Sequence, residues 1–149
     1  MIDPQAVPLS LYMHLPWCTR KCAYCDFNSH EGFTESLQQP YVEALLADLD
    51  SQRAWWFNRP IESIFIGGGT PSLFEGRWLG ALLEGVSSRA TLSRDVEVTL
   101  ESNPGSAESV RFADYRAAGV NRLSIGVQRF DDHALNALGR IHSGDDARH

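Results

Sequence analysis

Short runs rich in β-branched and aromatic residues alternate along this chain with stretches whose apolar residues recur at helical spacing, and that alternation leaves few folds open. Leu9 to Trp17 alternates loosely and stops around Pro16, which predicts a short strand running into a loop. The loop reaches about Gln39. Pro40 suits a first helical position, and Tyr41, Val42, Leu45, Leu46 and Leu49 follow on one face of an amphipathic helix. Asn58-Arg59-Pro60 then breaks the chain, and Ile61 to Ile66 reads as a buried strand that stops at Gly67-Gly68-Gly69. Trp78, Leu79, Leu82, Leu83 and Val86 give a second helical stripe. Val96, Val98 and Leu100 alternate with Glu97, Thr99 and Glu101 as a third strand, ended by Asn103-Pro104-Gly105.

Ser106 is placed to cap a third helix that runs to Ala118, with Gly119 as its left-handed closing residue. A fourth strand follows over Arg122 to Gln128. Asp131 caps a helix through Leu138, closed by Gly139, and a further helix is expected to start near Ser143. Connections of this length suit right-handed crossovers, so the prediction is an α/β fold of about four βα units, a parallel sheet with helices on its outer face. Nothing near His149 resembles a closing strand, and residues 1–149 are expected to be the N-terminal portion of a longer domain.

Hydrophobic residues make up 43% and charged residues 21% of the 149 residues, enough to bury the core of an ordinary globular protein. Thirteen Lys and Arg against nineteen Asp and Glu leave a net charge of −6, so no broad positive field gathers phosphate backbones and nucleic acid is not an expected partner. The strongest apolar stretches, Ile61 to Gly69 and Ala81 to Val86, fall far short of the roughly 20 residues that span a bilayer. The first residues show no charged start, apolar core and small-residue cleavage site, and the expected location is the cytoplasm.

All three cysteines lie in the segment Cys18-Thr-Arg-Lys-Cys22-Ala-Tyr-Cys25. An odd, clustered set is no disulfide framework, and in a reducing compartment it reads as metal binding or catalysis. The CxxxCxxC spacing brings three thiolates to one side of a short loop. That is one ligand short of a closed iron–sulfur or zinc site, and the missing ligand leaves a position open for a substrate. Arg20 and Lys21 between the ligands favour thiolates and offset the negative charge of a thiolate-bound group. Tyr24 and Phe27 add aromatic bulk that covers the site or stacks on a ring; the plainer reading of Phe27 is a loop anchor. Zinc with His30 or Asp26 as a fourth ligand stands beside the iron–sulfur reading.

Tyr12-Met-His-Leu-Pro-Trp-Cys18, the cysteine loop with an aromatic before its last cysteine, and Gly67-Gly-Gly-Thr-Pro-Ser72 together resemble the radical SAM core of the oxygen-independent coproporphyrinogen III oxidase group. The resemblance continues through Glu101-Ser-Asn-Pro-Gly105, Ser124-Ile-Gly-Val-Gln128 and Leu138-Gly-Arg-Ile-His142, and so covers nearly the whole chain. It implies the N-terminal part of a partial (βα)6 TIM-like barrel, with the last strands and a C-terminal domain beyond residues 1–149. The oxidase proper has a further cysteine two positions after the third ligand and a longer N-terminal extension. Here Phe27 stands at that position and 17 residues precede Cys18, which makes the heme-chaperone branch of the group the nearer likeness.

What the resemblance implies is a 4Fe-4S cluster on Cys18, Cys22 and Cys25 whose unique iron is chelated by the amino and carboxylate groups of S-adenosylmethionine. It implies cofactor contacts at Tyr12, Tyr24, Gly68, Gly69, Thr70, Glu101, Gln128 and Arg140, and assigns no residue a catalytic step. Heme or another porphyrin is the implied cargo or substrate of the full-length protein, with an electron donor and a heme acceptor protein as partners. A glycine turn at the carboxyl end of a parallel strand lets backbone groups approach a ligand closely, although a triple glycine serves equally as a tight turn with no ligand. Glu101 at a strand end can accept from ribose hydroxyls or pair with an amino group; its plainer reading is a cap or a salt bridge. Arg140 carries a fork suited to a carboxylate, against the plainer reading of a solvated helix-end cation. Tyr12 reads otherwise as core, and His14, His133 and His142 as structural. Gly68→Val is expected to impair cofactor binding and to spare the cluster.

Two function classes remain on this reading. One is a heme chaperone that keeps the cluster and cofactor and transfers heme to acceptors; the other is an oxidoreductase of the coproporphyrinogen dehydrogenase type. A zinc-binding module is the third possibility.

Overall fold

The computed structural model describes residues 3, 6–56, 58–105 and 110–148. Four strands, β1 (Leu9–Leu15), β2 (Ile61–Gly68), β3 (Leu92–Ser102) and β4 (Arg122–Ile125), pair in chain order and in parallel. The helices are α1 (Gln38–Ser51), α2 (Arg53–Trp56), α3 (Gly76–Ser87), α4 (Phe112–Ala118) and α5 (Asp132–Ala137), with 3-10 turns at Glu35–Leu37 and Pro71–Leu73. This is the expected α/β arrangement of four βα units.

Strand alternation decides which side meets the helices. Met13 and Leu15, Ile64 and Ile66, and Val98 and Leu100 are buried and share one core with Val42, Leu49, Leu79, Leu82, Val86 and Tyr115 from the helices. The residues between them occupy the other face. There Ser63 donates to Ser10 at 2.8 Å, Tyr12 stacks on Phe65 with centroids 6.1 Å apart, and Arg122 donates to Thr99 Oγ1 at 3.1 Å. Trp17, Phe33, Tyr41 and Phe74 form an aromatic cluster that fastens the end of β1 to α1. Trp17 meets Tyr41 edge-on at 4.6 Å, and the Tyr41 hydroxyl donates to the His14 carbonyl at 2.8 Å.

Several boundaries differ from the expectation, each for a local reason. Helix α1 starts at Gln38, before Pro40, because the fully buried Gln38 amide exchanges two hydrogen bonds with Glu75, donating to Oε1 at 3.0 Å and accepting from its N–H at 2.7 Å. Pro40 still sits in the first turn, where its missing N–H is not needed. Strand β2 continues through Gly67 and Gly68, which pair with His14 and Leu15 of β1. Strand β3 begins at Leu92 rather than near Val96. Strand β4 ends at Ile125 instead of Gln128: Gly126 N–H makes a last bond to the Ser102 carbonyl, and the chain then folds through tight Val127–Ile125 and Arg129–Val127 bonds with Gln128 at φ 67°.

Ser106, expected as a helix cap, lies outside the described residues, and α4 is seen from Phe112, closed by Gly119 at φ 111° as expected. The segment after Ser143 forms turns, not a helix; Ser143 and Asp146 satisfy each other's backbone and side chains instead. Asp131 caps α5 as read, its Oδ1 accepting from Ala134 N–H at 2.8 Å, with Gly139 at φ 75° beyond the helix. Asp131→Ala is therefore expected to lower stability by about 1 kcal/mol, read as a shift of the denaturant midpoint of the full-length protein. Among the described residues no helix is long and apolar enough to cross a membrane.

Candidate functional site

The carboxyl ends of the four strands open into one cavity of about 320 Å3. Parallel α/β sheets bind ligands at this edge. Cys18, Cys22, Cys25, Tyr24, Gly68, Gly69, Thr70, Glu101, Gln128 and Arg140 all line it. Tyr12 does not. It is 57% exposed on the polar sheet face, its hydroxyl 2.9 Å from His14 Nδ1, so it is neither a core residue nor part of the cavity wall. Partial burial raises the Tyr12 phenol above its ordinary pKa, and the Glu101 charge adds to the rise.

The cysteine loop is tied at its neck. His30 N–H donates to the Pro16 carbonyl and Cys18 N–H to the His30 carbonyl, both at 2.8 Å. Cys25 N–H closes a turn on the Cys22 carbonyl at 3.1 Å. Lys21, expected to act through its charge on the thiolates, serves as a brace: Nζ donates to the Phe27 and Ser29 carbonyls at 3.2 and 3.1 Å, and its N–H to Glu31 Oε1 at 2.8 Å. His14 Nε2 holds the Asn28 carbonyl at 2.8 Å. Phe27 is 59% exposed and lines the cavity mouth, which leaves it little to anchor.

The glycine turn is packed as tightly as the chain allows. A Cβ on Gly69 would stand 2.6 Å from the Trp17 carbonyl oxygen, and one on Gly68, at φ 123°, would stand 2.8 Å from the His14 ring and 2.9 Å from the Leu15 carbonyl oxygen. Close backbone approach is thus required by the neighbouring strand as well as available to a ligand. Among the described residues Glu101 caps no helix and has no ion-pair partner; its Oε2 accepts the Gly68 N–H at 3.0 Å.

Arg140 is no solvated cation. Its Nη2 donates to the Gly126 carbonyl at 2.7 Å and to Asn103 Oδ1, while Nη1 lies 3.5 Å from Cys22 Sγ. Tyr24 lines the same cavity and feels the charges of Arg140 and Cys22. Partial burial raises its pKa, Arg140 opposes that rise, and Cys22 adds to it. Asn103, Ser124, Gly126 and Ile141 also line the cavity and were not singled out from the sequence. Asn103 had a signal, a polar residue immediately after a strand that ends in Glu101. His142, read as structural, is buried with Nε2 3.0 Å from the Val127 carbonyl.

Among the described residues no group of three or more His, Cys, Asp or Glu side chains is gathered as around a single ion. His30 is also engaged, its Nε2 3.0 Å from Asn28 Oδ1. An iron–sulfur cluster spreads its thiolates over different irons, so three free thiols around one cavity fit it without meeting at a point. Arg140 Nε, buried and without a partner among the described residues, adds a donor that an anionic ligand group can satisfy.

Residues 12–148 match the radical SAM superfamily, and the chain belongs to that family. Among its relatives, the heme chaperone HemW of Escherichia coli K12 is 53% identical over 141 residues, covering 95% of this chain and 37% of that protein. The bovine mitochondrial radical S-adenosyl methionine domain-containing protein 1 is 44% identical, over 97% of this chain and 32% of its own length. The structure of the E. coli coproporphyrinogen III oxidase HemN, a radical SAM enzyme, superposes with a TM-score of 0.83 at 26% identity, covering 96% of this chain and 33% of that one. The chain thus spans between about a third and two fifths of the relatives it matches, and its sheet is a partial barrel of the kind HemN carries.

Proposed function

We propose that the chain forms the cluster and cofactor site of a heme chaperone that passes heme to acceptor proteins. The observation that carries this reading is the meeting of three free thiols, a ligand-accessible glycine turn and the Glu101 and Arg140 side chains around one cavity at the sheet's carboxyl edge. Cys18, Cys22 and Cys25 would hold a 4Fe-4S cluster. Gly68, Gly69, Thr70 and Glu101 would bind S-adenosylmethionine from the β2 and β3 ends, with Gln128, Arg140 and Tyr24 closing the other side. When bound, the cluster supplies the electron for reductive cleavage of the sulfonium. The chain's own part is placement and exclusion of water: Cys18 is buried at the neck, Thr70 is 7% exposed, and Tyr24 and Phe27 stand over the opening.

The heme-chaperone assignment is favoured by Phe27 at the position where the oxidase carries its extra cysteine, and by the higher identity to HemW. Cytoplasmic residence agrees with the unpaired cysteines. The second reading, oxidative decarboxylation of coproporphyrinogen III, is favoured by the superposition on HemN. Full-length protein, purified anaerobically, is expected to contain about four irons and acid-labile sulfide, no zinc, and to bind heme while leaving coproporphyrinogen III unchanged. Consumption of coproporphyrinogen without heme binding overturns the chaperone reading.

A further inference from the structure

One guanidinium ties the carboxyl ends of the sheet together. Arg140 Nη2 bonds to the Gly126 carbonyl after β4 and to Asn103 Oδ1 after β3, and Asn103 Nδ2 donates to Thr70 Oγ1 after β2 at 3.4 Å. An Nη2 group has two hydrogens, and these two acceptors take one each. The plane of the guanidinium is then set, and with it the direction of Nη1, which reaches Cys22 Sγ in the loop after β1. The Gly126 carbonyl alone would leave the fork free to swing about a single N–H···O axis. Asn103 is itself held at its far end, because Thr70 is buried and its N–H bonds to the Trp17 carbonyl at 2.7 Å.

We propose that Asn103 is a positioning residue: by spanning Thr70 and Arg140 it keeps the Arg140 guanidinium on the sulfur of Cys22 and couples the glycine turn to the cysteine loop. Its consequence for the cluster rests on the function proposed above, in which Cys22 is a ligand. A donated hydrogen bond and a positive charge at a ligand sulfur favour the more negative, reduced cluster, so releasing Arg140 lowers the midpoint potential. It also loosens one wall of the cofactor cavity.

The test uses the full-length protein with Asn103→Ala and Asn103→Asp, the second keeping the acceptor oxygen toward Arg140. Before reconstitution, 15N resonances of the Arg140 Nη atoms are expected to be separate and slowly exchanging in the wild type and in Asn103→Asp, and averaged in Asn103→Ala. Equal signals in all three overturn the proposal. After anaerobic reconstitution, Asn103→Ala is expected to keep its iron and to show a lower midpoint potential. It should need about tenfold more S-adenosylmethionine to change the electron paramagnetic resonance signal of the reduced cluster, the effect of one charge-assisted hydrogen bond. Asn103→Asp should stay within about threefold of the wild-type requirement. An unchanged potential in Asn103→Ala, or an Asn103→Asp protein that matches it in cofactor requirement, overturns the assignment. Wild-type protein that takes up no cluster refutes the proposed function, and the Arg140 signals then decide the role of Asn103 on their own.

Discussion

Cys22→Ala in the full-length protein is expected to abolish cluster uptake, with iron falling from about four per chain to background after anaerobic reconstitution and no brown absorbance. Two thiolates leave a second iron without a protein ligand, and the thiolates contribute most of the binding. The structure separates this loss from a folding defect. The turn at Cys22 is made by its carbonyl and the Cys25 N–H, and the neck of the loop by Pro16, Cys18 and His30, so no backbone bond depends on the missing sulfur. The variant should therefore unfold at the same denaturant concentration as cluster-free wild type. A full visible spectrum in Cys22→Ala would remove this residue from the ligand set.

Gly68→Val is expected to cost roughly 3 kcal/mol, combining a positive φ that a β-branched residue resists with overlap against packed neighbours. The Cβ alone would strike the His14 ring and the Leu15 carbonyl, both on the strand that delivers Cys18. His14 in turn holds Asn28, three residues past Cys25. Damage at the glycine turn thus spreads into the cysteine loop, and the expectation that cofactor binding alone would suffer gives way to a joint loss. The measurements are the denaturant midpoint and the iron content after reconstitution. Normal iron with impaired cofactor binding would show that β1 absorbs the added side chain.

The fold was legible because its signals are local and redundant. Ile61 to Ile66 is too β-branched for anything but a strand, Gly119 and Gly139 take the positive φ values that their places after helices require, and Asp131 caps as aspartate does. What local pattern could not carry was long-range. Gln38 lies in helix α1 because Glu75, distant in sequence, completes its hydrogen bonds. Gln128 reads as strand by composition, yet β4 stops at Ile125, where the Gly126 N–H makes its last bond to β3. The site divides the same way. The cysteines and the glycine turn are contiguous motifs, whereas Asn103 matters through Thr70 and Arg140, partners that no spacing rule connects. Lys21 follows from its place between the cysteines and Tyr12 from the family resemblance, yet three-dimensional neighbours give Lys21 a bracing task and leave Tyr12 outside the cavity.

The neck between Pro16 and His30 has a bearing on when the loop becomes ordered. Bringing together the ends of a free segment the length of Cys18 to His30 costs about 2 kcal/mol of chain entropy. Here that closure belongs to the folding of the sheet, through backbone bonds and the Lys21 and His14 braces, none of which involves sulfur. On the function proposed above, iron and sulfide would therefore meet a segment that has already lost its freedom. Their affinity would go into metal–thiolate bonds rather than into restraining a mobile chain, unlike domains that remain unfolded until their metal arrives.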